Sequence, residues 1–292
     1  MLKPAILIVL LSLLPFCLSA QAPKRTSDLP KISLQLHSVK EQVQRDFKQT
    51  LTQISALGFD GVEFAGRYGP YEDDPKGLKQ FLSSIGLEAS GAHIPLNNLQ
   101  GEKGERALLF FKQLGVELVI IPYDKRANDP DNIAPLSEEL TETFHRARRM
   151  GLTLGYHNHA LEFEPFEETT FWDFIAQNTP QEFALQLDVG WAKFANKDPV
   201  DYVKRYPNRT LTTHYKIRSY QGKPAAVPAQ TQVILGQDNY DWQSLIKANI
   251  EYGGTQWIVI EQEEYPEPLS PMQSVKASMI GLQAVLNNMN DN

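Results

Sequence analysis

The stretch Met150–Glu164, MGLTLGYHNHALEFE, carries the organisation of the whole chain in miniature. Met150-Gly151 closes an amphipathic segment in which Leu140, Phe144 and Ala147 keep helical spacing. Glycine accepts the left-handed backbone that ends a helix, so Gly151 is a natural stop. A β-like run, Leu152–Asn158, follows at once and ends among His157, His159, Glu162 and Glu164. Such an order fits one unit of a repeating βα fold with a functional rim, or an edge strand that is merely polar. The rest of the chain decides between them.

The same punctuation recurs. Leu57-Gly58, Ile85-Gly86, Leu114-Gly115 and Tyr252-Gly253 each end an amphipathic stretch and precede a β-like run. Phe47, Leu51, Ile54 and Leu57 keep helical spacing in the first of them. Asp74-Pro75 and Asp198-Pro199 mark helix starts, an N-cap followed by proline at the first helical position. The β-like runs are Ile32–His37, Gly61–Ala65, Leu87–His93, Val116–Pro122, Leu152–Asn158, Phe183–Asp188, Thr210–Lys216 and Gln256–Glu261. They recur roughly every thirty residues, the size of a βα unit. Near-continuous apolar strands alternating with helices imply a parallel sheet covered by helices, and eight units imply closure. The expected fold class is α/β, a single (β/α)8 TIM barrel over residues 32–288. No Gly-rich phosphate loop follows the first run, which disfavours a doubly wound nucleotide-binding fold. No proline- or serine-rich linker divides the chain.

Residues 1–20 read as a signal peptide: Lys3 gives a positive start, Ala5–Leu14 an apolar core, and Leu18-Ser19-Ala20 a small residue for cleavage. The apolar run is too short for a good membrane span, so no stable membrane insertion is expected after cleavage. Phe16 before Cys17 is bulkier than a lipoprotein site wants. The mature chain would start with a flexible segment over 21–31 and be exported, to the periplasm or beyond. Cleavage would remove Cys17, the single cysteine, leaving no disulfide and no thiolate nucleophile. It would also remove Lys3 and make the formal charge one unit more negative than −7. An acidic protein without basic clusters is not a nucleic-acid binder, since that binding rests on Lys and Arg.

In a βα barrel the C-terminal strand ends build the active site. Five of the six histidines, His37, His93, His157, His159 and His214, fall at or near such ends; only His145 lies on a helix. Glu63, Asp188 and Glu261 join them after the second, sixth and eighth runs. Taken singly, a histidine ending a strand is usually a hydrogen-bonded structural residue, and a lone glutamate is usually solvated. Together they make one rim of metal-capable side chains. A mixed N/O set suits one divalent ion, Mn²⁺, Zn²⁺, Co²⁺ or Fe²⁺; an expected carboxylate majority leans toward Mn²⁺.

GFDGVEF, GAHIPL, GYHNHALEFE, LQLDVGWA, THYK and IVIEQEE, in that order, resemble the xylose-isomerase-like TIM-barrel family of sugar phosphate isomerases and epimerases, to which inosose dehydratases are related. VILGQDNYDW, a glycine-containing turn before an Asp-Trp helix start, adds to the resemblance, which runs from Ile32 to Leu286. It implies a divalent ion held by Asp188, His214 and Glu261, with His157 standing where many members carry a glutamate. Glu162 or Glu164 reaching back is the alternative to His157.

The resemblance also implies chemistry. Glu261 would take a proton from a carbon next to a carbonyl, and His159, Lys216 or His93 would supply the second proton. Return of the proton gives a metal-dependent sugar isomerase or epimerase working through an enediolate. Loss of a β-hydroxyl or aglycone gives a lyase or dehydratase acting on a keto-sugar or 3-keto-glycoside. With His157 in the glutamate position, an epimerisation using two opposed glutamates is missing one partner. A non-catalytic carbohydrate-binding barrel is the reading from another class, and endonuclease activity the least favoured. His37, Glu63, Glu162 and Trp191 are expected to bind the small-molecule carbohydrate, with Tyr68 and Tyr123 as further aromatic surfaces.

Overall fold

The computed structural model describes residues 29–219 and 233–290. The leader expected over residues 1–20, and most of the segment 21–31, lie outside these. Among the described residues no helix is long and apolar enough to cross a membrane.

Eight parallel strands close into a barrel: β1 Lys31–Gln35, β2 Gly61–Phe64, β3 Glu88–His93, β4 Leu118–Ile121, β5 Thr153–His157, β6 Ala184–Asp188, β7 Thr212–Tyr215 and β8 Trp257–Ile260. Each neighbours the next in sequence, and β1 closes the ring by pairing with both β2 and β8. All eight expected runs are present, with ladders shorter at some ends. Residues Leu36–Val39 leave the first strand as a 3-10 turn that carries His37 outward.

Helices form where the apolar stripe and the caps agree. In Phe47–Ala56 the Asp46 carboxylate caps the Gln49 N–H at 3.0 Å, and Phe47, Thr50, Leu51 and Ile54 are buried on one face. Asp74 and Asp198 likewise cap helices that open on Pro75 and Pro199. Gly58, Gly86, Gly115 and Gly151 all take positive φ at helix ends. The fifth expected stop is displaced. Asn249–Gly253 winds as a π turn, whose extra residue moves the left-handed position from Gly253 to Gly254, at φ 64°. The turn before the last helical unit has Gly236 at φ 80°, and Asp241 caps the helix Trp242–Ala248.

Strand residues alternate between two buried environments. Leu34, Val62, Phe64, Leu154, Tyr156, Leu187, Ile258 and Ile260 face the helices in the main core. The inward set changes along the barrel axis. At the N-terminal end Leu118, Ile120, Ala184, Trp257 and Val259 form a separate apolar cluster. Gly61 makes room there, since a Cβ would lie 2.9 Å from the Trp257 ring. Toward the other end the inward residues become Gln35, Glu63, His157, Gln186, Asp188, His214 and Glu261, all buried.

Candidate metal and active site

The polar layer exists because a strand points alternate residues inward. Gln186 and Asp188 share the inner face of β6. His214, and Lys216 just beyond the end of β7, share the next face, and Val259 and Glu261 the one after. His157 Nε2 lies 3.6 Å from Asp188 Oδ2, and His214 Nδ1 lies 3.0 Å from Glu261 Oε2. One ligand atom from each of His157, Asp188, His214 and Glu261 falls within 4.8 Å of every other. The strand-five member is therefore His157. Glu164 is exposed and Glu162 is buried, and neither belongs to the group.

A divalent cation fits this group. Asp188 Oδ2 is buried without a hydrogen-bond partner, although its other oxygen accepts from the Trp191 N–H at 2.9 Å. Burial, reinforced by His214, keeps His157 well below its usual range and neutral. Its Nδ1 lies 3.0 Å from the Gln186 carbonyl oxygen and donates there, leaving a bare Nε2 toward Asp188. Two acceptors face each other with no proton between them, and besides the Lys216 ammonium 3.5 Å from Asp188 Oδ2 a divalent cation fits there. Burial would lower His214, but Glu63 and Glu261, one at each ring nitrogen, push it up to about 10. The two carboxylates favour the charged imidazolium, and the ring nitrogen Nδ1 that faces Glu261 is the one open to a cation in place of the proton.

Lys216 completes the charge pattern. Its ammonium is buried, 3.0 Å from Glu261 Oε2, 3.5 Å from Asp188 Oδ2 and 2.5 Å from Glu263 Oε2. Burial alone would lower it; the three carboxylates hold it well above the ordinary lysine range. Lys216 is thus a fixed cation and not a base. Burial raises Asp188 to about 6 against the pull of Lys216. For Glu261, Lys216 and His214 outweigh burial and keep it well below the usual range.

Other expected residues are placed as follows. His159 sits at the mouth, its ring 5.2 Å from His157, 5.4 Å from Trp191 and 5.8 Å from Tyr123, and its buried Nδ1 has no partner. Burial, then Lys216, brings it down to about 4. His93 stacks on His214 at 5.3 Å, with Nε2 committed to Gln186 at 2.7 Å. Trp191 lies under Arg218, whose guanidinium is 4.1 Å from the ring centre. His37 is half-exposed on the rim, 3.8 Å from Glu263. Tyr68 packs between Phe64 and Phe110.

Two expected substrate contacts are buried and held by hydrogen bonds to neighbouring groups. Glu162, 1% exposed, folds back through the turn Leu161–Phe163 and accepts from the His159 N–H at 2.8 Å and the Tyr156 hydroxyl at 3.3 Å. It ties the loop to His159 and Tyr156. Glu63, also 1% exposed, lies beneath the ligands. It accepts from Gln35 at 2.7 Å and from Gln186 at 2.7 Å, with His214 Nε2 at 2.6 Å. Gln35 and Gln186 were missed because amides are not ligand types. Each lies two residues from, or directly beside, a suspected site residue along or across the sheet, and that period was the available signal.

The model of the xylose isomerase-like TIM barrel matches residues 51–283. The chain belongs to this family. Among its xylose isomerase-like relatives, an inosose dehydratase of Geobacillus kaustophilus is 26% identical over 263 residues, 78% of this chain and 83% of that protein. A 3-dehydroshikimate dehydratase of Pseudomonas aeruginosa is 26% identical over 151 residues, 48% of this chain; the match spans only 24% of that protein's length. A sugar phosphate isomerase/epimerase of Parabacteroides distasonis superposes with a TM-score of 0.73 at 23% identity, over 91% of this chain and 98% of its own. The IolI protein, solved with a bound zinc atom, has a TM-score of 0.63 at 13% identity, over 88% of this chain and 98% of its own. At such identities the structures speak to the fold alone.

Proposed function

We propose that this protein is a divalent-metal-dependent enzyme that moves a proton at a carbon next to a carbonyl of a small carbohydrate, acting through an enediolate as an isomerase or epimerase. The observation that carries the proposal is the convergence of His157, Asp188, His214 and Glu261 within 4.8 Å around Asp188 Oδ2, which accepts no hydrogen bond and has the Lys216 ammonium, 3.5 Å away, as its charged partner among the described residues. These four would hold the ion. A bound divalent cation would supply Lewis-acid stabilisation of negative charge developing on substrate oxygens. The set has two imidazoles and two carboxylates, so the carboxylate majority that leaned toward Mn²⁺ is absent and Zn²⁺ suits it equally.

Glu261 Oε2 is engaged by His214 and Lys216, whereas His159 Nδ1 is free of partners. We therefore assign proton transfer to His159, with Glu261 as ligand and second acid–base group. Trp191 and Tyr123 flank His159 and offer apolar faces to a sugar ring. The leader expected over residues 1–20 supports an exported protein and an unphosphorylated substrate.

A second reading, elimination of a β-hydroxyl or aglycone after the same proton abstraction, is favoured by two features. Inosose dehydratase is similar along most of its length, and the position opposite Glu261 holds His157 in place of a carboxylate. The experiment is incubation with a ketose panel and a 3-keto-glycoside in deuterated water, with Mn²⁺ or Zn²⁺ supplied. Deuterium entering the sugar without loss of mass is the expected result. Release of water or aglycone selects the lyase, and binding with no deuterium uptake removes both.

A further inference from the structure

Glu63 is a buried carboxylate in the barrel interior whose ion-pair partners among the described residues are histidines, with no lysine or arginine beside it. Its oxygens meet Gln35 Nε2 and Gln186 Nε2, each 2.7 Å away, and His214 Nε2 at 2.6 Å; His93 Nε2 stands 3.2 Å off. Space is reserved for this carboxylate: a Cβ at Gly91 would lie 2.9 Å from Glu63 Oε2. The two amides offer N–H groups to the carboxylate, and an amide nitrogen only donates. A carboxylate accepting from both also accepts from His214, which fixes the hydrogen of that ring on Nε2. The other nitrogen, Nδ1, is the one that faces Glu261.

Gln186 passes the same constraint onward. With its amide N–H groups on Glu63 and on the Thr212 hydroxyl at 3.3 Å, its carbonyl oxygen must face His157 Nδ1 at 3.0 Å and His93 Nε2 at 2.7 Å. That orientation places the hydrogen of His157 on Nδ1 and leaves Nε2 toward Asp188. We propose that Glu63 is a positioning residue that makes His214 bind a divalent cation through Nδ1 and, by orienting Gln186, makes His157 bind through Nε2. Partners behind metal-binding histidines select the ring nitrogen and orient the ring in this way. Glu63→Gln keeps the size but offers one acceptor oxygen to three donors, so some imidazole or amide must turn.

The inference rests on the ligand set of the proposed function, and the test reads metal binding with no sugar present. Metal-free protein is titrated with Mn²⁺ and with Zn²⁺ against a chromophoric chelator, alongside thermal midpoints in chelator. Glu63→Gln is expected to weaken both ions by roughly 10–100-fold. Ser33→Ala, which removes an equally buried 2.6 Å hydrogen bond to Ser90 in the barrel interior away from the ligands, should leave affinity unchanged. A Glu63→Gln protein with a lowered midpoint but wild-type affinity overturns the inference, as does an equal loss of affinity in Ser33→Ala. Should Glu63→Gln not fold, histidine ¹⁵N spectra of the zinc-loaded wild type decide. Metal on His214 Nδ1 and His157 Nε2 is expected, and the opposite nitrogens overturn it. A wild type that binds neither ion removes the proposed function as well, whereas tight binding with unaltered Glu63→Gln removes only this inference.

Discussion

The two ends of the barrel are made by the same eight strands and share almost no chemistry. At the N-terminal end Trp257, Leu118, Ala184, Ile120 and Val259 fill the interior with hydrocarbon. Four residues further along β8, Glu261 stands among His214, Lys216 and the other charged groups of the mouth. The apolar end gains from excluding water and needs only shape. The mouth gathers charge that is satisfied by partners on other strands, and Asp188 Oδ2 accepts no hydrogen bond among the described residues. On the last strand stability and reactivity are thus separated by one inward step, from Val259 to Glu261, with the reactive groups at the C-terminal end as barrels generally place them.

The sharpest way to break this comparison is at Asp188. Asp188→Ala is predicted to abolish Mn²⁺ and Zn²⁺ binding while costing the metal-free fold only about 1 kcal/mol, the loss of a helix cap on Trp191. Calorimetric titration and a urea midpoint read the two effects, and full metal occupancy would remove the site. Next comes the opposite end. Trp257→Ala opens a cavity beneath Gly61 and should destabilise by about 3–5 kcal/mol. Metal affinity of the folded fraction should stay near wild type. If it fell as far as in Asp188→Ala, the two ends would be one cooperative unit and the separation would be false.

The strands were legible because glycine stops and apolar runs are local signals. Leu152–Asn158 after Gly151 was recognisable without knowing what it touches, and the ladder Thr153–His157 lies inside it. Height within the barrel was not legible. Glu63 and Glu261 both sit near strand ends, but strand stagger sets Glu63 opposite Gln35 and below His214, and stagger arises only when the sheet closes. The setting of Glu162 was not legible for a different reason: a turn of three residues, Leu161–Phe163, reverses the chain and aims the side chain back at His159 N. Gln186 carried a signal that went unused, two residues before Asp188 on the same face.

The smallest expected effect lies on the outer rim, where charges again pair but solvent is near. Asp124 caps the turn Lys125–Asn128 and holds the Arg126 guanidinium at 2.9 Å and 2.7 Å, and Arg126 reaches Glu139 at 2.8 Å. Burial opposes ionisation of Asp124, but the hydrogen bonds from Arg126 outweigh it and lower the carboxyl below its ordinary value. A carboxylate lowered in the folded state stabilises above its unfolded pKa, and that stability is lost as pH falls through the folded value. Asp124→Asn should therefore cost about 0.5–1 kcal/mol at pH 7, in the range of a partly exposed pair. The gap to wild type should hold at pH 5, begin to narrow below about pH 4, the ordinary aspartate range, and close as pH falls through the lowered folded value. Added salt should narrow the gap at pH 7, since ions reach this rim and not the barrel interior. Urea midpoints of both proteins across pH and salt measure it. A gap undiminished at pH 3 would mean that the aspartate acts here through packing, and that the rim resembles the apolar end more than the mouth.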